Sequence, residues 1–145
     1  MLNDLLRRLT APEPQPLSDP DARVALGALL VRLARTDGHY ATSEIAQIDQ
    51  TLMKRYDLSD ADAAALRAEC EALEAEAPDT VRFTRAIKDA VSYDNRLGVI
   101  EAMWSVVLAD GARDDDEDSL MRMITSLLGI SDQDSHRMRL KVSAG

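Results

Sequence analysis

The chain has 145 residues, 46% of them apolar and 30% charged, which is enough for one domain with a sizeable buried core. Its 26 acidic side chains outnumber 17 basic ones, a net charge of −9, so nucleic-acid backbones and anionic lipid surfaces are disfavoured by bulk charge while cations and basic proteins fit. One cysteine, Cys70, excludes an internal disulfide and suits a reducing compartment.

Residues 2–9 place Leu2, Leu5, Leu6 and Leu9 on one helical face, with Arg7 and Arg8 off it. MLNDLLRRLT has no continuous apolar region and no small-residue cleavage site, so it does not read as a secretion signal. The segment reads as an amphipathic arm packed on the rest, its alternative being a membrane or partner contact. The proline-rich connector APEPQPLSDP follows and should be extended. Residues 1–18 are therefore separated from a helical domain at 19–145.

The first long helix is expected to start with Asp19 as cap and Pro20 at its first position, and to run to Asp37-Gly38. A second covers about 42–56, with Ile45, Ile48, Leu52 and Tyr56 on one face. Ser59 caps a third over about 60–76, burying Leu66, Cys70 and Leu73, with Glu69, Glu71, Glu74 and Glu76 on a solvated face. Pro78 breaks it. The fourth, about 79–92, turns Val81, Phe83, Ile87 and Val91 inward and leaves Arg82, Arg85 and Lys88 as a basic stripe. The fifth, about 95–109, ends at Asp110-Gly111. The sixth, about 114–128, uses Leu120, Met123, Ile124, Leu127 and Leu128 and stops at Gly129. Ser131 caps a short last helix to about Lys141. No period-two run of β-formers occurs, and the longest apolar stretch, Val24 to Val31, is about 8 residues against the ~20 of a bilayer span. The expectation is an all-α protein: one bundle of about seven helices, not membrane-spanning and cytoplasmic.

This order happens twice. Asp37-Gly38 is followed by Glu44 and Asp110-Gly111 by Glu117, each pair 73 residues apart. Matching caps follow, Leu58-Ser59-Asp60 and Ile130-Ser131-Asp132, and the most apolar helix of each half precedes. A helix apolar nearly all round must be buried, so 22–36 and 97–109 should form a central pair in a pseudo-two-fold bundle.

Glu44, Glu117 and the Asp114 to Asp118 run stand at helix starts, where the macrodipole favours negative charge, and capping accounts for most of them. Asp37 and Asp110 stand at the opposite pole, where an anion is disfavoured by ~0.3–1 kcal/mol. Either local N–H donors or a divalent cation offset that cost. The candidate ligands are Asp37, Glu44, Asp110 and Glu117, suited to weak binding of calcium, magnesium or manganese. An EF-hand is excluded, since Leu33, Arg35, Val106 and Leu108 occupy positions that should ligate.

Helix-[A/T]-D-G-x5-E-helix, doubled as ARTDGHYATSE and VLADGARDDDE with the LS and IS caps behind, resembles the TerB-like tellurite-resistance family over about residues 20–140. The resemblance implies an α-helical bundle in a bacterial cytosolic stress-response protein. It also implies metal binding at Asp37, Glu44, Asp110 and Glu117, and protein partners, including association at the inner membrane face. His39 has no equivalent in the second copy, and His136 reads as a surface pair with Asp132. Glu69 and Glu71 flank Cys70 and should raise its pKa, which argues against a nucleophile. Met103, Met121, Met123, Met138 and Trp104 read as core. No GxSxG, P-loop, HExxH, CxxC or dinucleotide glycine pattern occurs. The chain thus reads as a non-catalytic acidic module with no nucleic-acid partner; the competing reading is a plain protein-interaction domain whose acidic loops are helix caps.

Overall fold

The computed structural model describes residues 2–9, 11, 16–36, 40, 42–109 and 115–144. Among these lie α1 (Leu2–Leu9), α2 (Asp19–Ala34), α3 (Thr42–Tyr56), α4 (Asp60–Glu76), α5 (Thr80–Ala90), α6 (Tyr93–Ala109), α7 (Asp115–Leu127) and α8 (Asp132–Ala144), and no strand. The all-α class is as expected, with the arm adding one helix to the seven of the bundle.

Local chemistry sets the boundaries. Ser59 Oγ accepts from the Asp62 amide at 3.1 Å and Ser131 Oγ from the Asp134 amide at 3.1 Å, the two matched caps. The Asp79 carboxylate accepts from the Arg82 amide at 3.0 Å and opens α5. Gly129, at φ +73°, supplies the left-handed residue that ends α7. The start of α2 differs from the expectation by one position. Ser18 is its cap, in extended backbone with its side chain accepting from the Asp21 amide, while Asp19 is already helical. A hydroxyl reaches that amide, and Asp19 and Asp21 then both sit at the positive end of the helix.

The central pair is α2 and α6, which pack on each other. Along α2, Ala25, Ala28, Leu29, Val31, Leu33 and Ala34 are fully buried, and Ile100, Met103, Val106 and Val107 do the same on α6. Each central helix carries the third helix of its own half, α4 on α2 and α8 on α6, while the second helices reach across: α3 packs mainly on α6, and α7 lies against both α2 and α6. Outside these, α5 rests on α7 and α2, and α1 lies against α4 and α5, burying Leu5 and Leu9.

Two expectations are corrected. The acidic face of α4 is only partly solvated: Glu69 and Glu76 are exposed, but Glu74 keeps 11% of its side-chain exposure and meets Arg32 at 3.1 Å. Glu71 pairs with Arg67 one turn back. Arginines on the facing helix and on α4 itself draw these carboxylates inward. On α7 the buried methionine is Met121, while Met123 is 38% exposed, because α7 turns its 121/124/128 stripe to the core.

Candidate functional site

The first Asp-Gly motif continues from the C-terminal end of α2. The orphan carbonyls there are taken up locally. The Arg35 amide donates to Val31 O at 3.0 Å, the Thr36 amide to Leu33 O at 3.2 Å, and the Thr36 hydroxyl to Arg32 O at 3.1 Å. Two arginines stand at this end of α2, Arg32 in the last turn and Arg35 at the C-cap. Arg32 donates through Nε to Glu74 Oε2 at 3.1 Å, through Nη1 to Pro78 O at 2.7 Å and through Nη2 to Glu74 O at 3.2 Å, lying over the Phe83 ring. Arg35 reaches Glu74 Oε1 at 3.5 Å and covers the Tyr40 ring. Burial first, and the Glu71 carboxylate next, push the Tyr40 hydroxyl above the ordinary phenol range.

The neighbouring acids on α3 and α4 are also held. Arg67 Nε donates to Asp49 Oδ1 at 2.6 Å and Nη1 to Glu71 Oε1 at 3.2 Å, tying the two helices together. Glu44, in the first turn of α3, is 8% exposed. Asp37, Asp110 and the Glu117 side chain lie outside the described residues, as do Gly38, His39 and Gly111. Among the described residues, no group of three or more histidine, cysteine or acidic side chains is placed to hold a metal ion.

The two helix ends differ in charge. The last turn of α2 carries Arg32, whereas that of α6 carries no basic side chain. The sequence reading overlooked this asymmetry, although an arginine one turn before an Asp-Gly was a legible signal.

Other candidates resolve simply. Cys70 is fully buried, and burial, with Glu69 and Glu71 next, pushes its thiol up to about 12, as the flanking glutamates led one to expect. Trp104 is half-buried, donating to Ser135 Oγ at 3.1 Å beneath Arg139. His136 is exposed on α8, and Arg82, Arg85 and Lys88 are exposed along α5. A groove of about 570 Å³ opens between α3, α6 and α8, on a face the sequence reading did not single out. Among the described residues, no helix is long and apolar enough to cross a membrane.

Comparison with curated proteins and with solved structures gave no match. A family model, Tellurite resistance protein TerB, matches residues 23–140, which run from within α2 to most of α8 and include both Asp-Gly motifs. With that match over most of its length, the chain belongs to the TerB tellurite-resistance family.

Proposed function

We propose that this chain is a non-catalytic acidic module of the bacterial cytoplasm that binds or senses a divalent cation and joins protein assemblies of the stress response, including at the inner face of the membrane. Calcium, magnesium and manganese suit its oxygen donors. Asp37 and Asp110 are the helix-end ligands, and Glu44 and Glu117 close each loop.

The observation that carries this reading is the equivalence of the two motifs. Each falls between a buried central helix and the second helix of its half, α2 and α3 in one and α6 and α7 in the other. A carboxylate at the negative pole of a buried helix twice over calls for compensation. The last turn of α2 and its C-cap carry Arg32 and Arg35, while the last turn of α6 carries no basic side chain and is followed in sequence by Asp114 and the Asp115, Asp116 and Asp118 of α7, against Arg113 alone. The second loop is therefore the stronger of the two.

An NMR titration of the metal-free chain with calcium, magnesium and manganese tests this. The expected result is saturable shifts confined to 37–44 and 110–117, appearing at lower ion concentration in the second loop and abolished there by Asp110→Asn with Glu117→Gln. Absence of shifts at millimolar ion overturns the reading and leaves the second one, an interaction domain whose acidic loops are caps. That alternative draws on the Glu44 and Glu117 positions in first helical turns. It requires the same double substitution to lower the melting temperature without any metal.

A further inference from the structure

The pseudo-two-fold assigns every position in one half a counterpart in the other, so the same architectural slot can be compared twice. The slot between α7, α2 and α4 is dry: Ile124, Leu128, Ala28 and Cys70 are all fully buried. Helix α5 covers this side, packing on α7 and α2 and setting the Phe83 ring against Arg32. The equivalent slot lies between α3, α6 and α8. Thr51 stands there where the other half has Ile124, Arg55 for Leu128, Glu101 for Ala28 and Ser105 for Arg32. It has no covering helix among the described residues and remains the groove of about 570 Å³.

Its charge is opposite to that of the chain. Lys54, Arg55 and Lys141 line it in a protein of net charge −9. Lys141 is tied to Glu101 at 3.2 Å, while Lys54 is exposed. The Arg55 guanidinium lies across Gly98, where any Cβ would collide with it. Its Nε is buried and finds no acceptor among the described residues.

We propose that this groove docks an acidic helix of a partner protein, in the place that α5 holds in the other half. The occupant is helical because the counterpart slot is filled by a helix, 11 residues in α5. It is acidic because Lys54 and Arg55 face it. Its docking face is mixed rather than leucine-rich because Thr51 and Arg55 stand where the other half has isoleucine and leucine, with Ser105 beside them. The inference stands apart from the cation reading, since neither Glu44 nor any other motif carboxylate lines the groove.

The test pans a displayed library of amphipathic helical peptides against the full chain and titrates the selected peptides by NMR. Selected peptides are expected to be rich in Asp and Glu, to become helical on binding, and to shift the amides of 47–55, 98–105 and 141–142. Lys54→Glu, at an exposed position that leaves the fold intact, should weaken them about tenfold through charge reversal. Peptides that map elsewhere, or that bind Lys54→Glu as well as the unaltered chain, overturn the proposal. It is equally overturned if inorganic phosphate or phosphatidylglycerol vesicles perturb those amides and no peptide does.

Discussion

Gly27 offers the sharpest test of how the bundle is packed. It sits in α2 facing α4, and a Cβ added there would overlap the Cys70 sulfur while standing an ordinary 3.4 Å from the Cys70 Cβ. The sulfur has little freedom to yield, because it is fully buried and a helix denies its side chain one of the three rotamers. Gly27→Ala gains about 1 kcal/mol of helix propensity but overpacks a closed interface at a cost of about 1–3 kcal/mol. The net expectation is a loss of about 1 kcal/mol. Cys70→Ala alone removes one buried sulfur and leaves a hole of about one atom, losing about 1 kcal/mol. In the double variant the new methyl occupies the space the sulfur left, and the propensity gain remains, so stability should return to that of the unaltered chain or exceed it. The coupling is then about 2 kcal/mol. Urea denaturation of the four proteins, with unchanged m-values, reads it directly. If the two substitutions add within about 0.5 kcal/mol, the α2–α4 contact does not hinge on that glycine.

The Cys70 thiol, held up to about 12, should resist alkylation in the native chain at pH 8 and react only on unfolding. Because the native state keeps a proton that the unfolded state releases, stability should also fall as pH rises from about 9 towards 12, by at most ~1.4 kcal/mol per pH unit from this group, and Cys70→Ala should flatten that slope. A slope unchanged in the variant refutes the assignment. Arg32→Ala leaves the Glu74 carboxylate to the more distant Arg35 and strands the Pro78 carbonyl in a half-closed site, which should cost about 3 kcal/mol in urea, whereas Arg32→Met with Glu74→Leu should recover most of it. Equal losses in the single and double variants would show that the pair is not the source.

The helices at 42–56 and 60–76, the Ser59 and Ser131 caps and the stop at Gly129 were legible because each rests on a short-range device: a hydroxyl on an amide three residues on, or a backbone turn that only glycine adopts cheaply. What misled was long-range. Nothing in the spacing of the α4 glutamates says that Arg32, 42 positions earlier, draws Glu74 inward. The reach of α3 to α6 and of α7 to α2 likewise depends on tertiary contacts. The groove had a signal that went unread. Gly98, Glu101, Ala102 and Ser105 form a small and polar stripe at helical spacing on an otherwise apolar helix, and Thr51 and Arg55 replace the isoleucine and leucine of their repeat partners. Reading the two halves against each other, position by position, would have exposed it. Asp37 and Asp110 lie outside the described residues, and the doubled Asp-Gly-x5-Glu spacing is what singles them out.

The packing of α3 mainly on α6, and of α7 on α2 as well as on α6, has a consequence for how such a chain could arise. A lone half, central helix with its two followers, would bare the side of its second helix that needs a foreign central helix to lie on. Only two identical copies, each lending that helix to the other, could bury it. Fusion of such a swapped homodimer into one polypeptide removes the concentration dependence of its assembly, and it frees the two copies to diverge, one towards a closed leucine seam and the other towards a charged furrow.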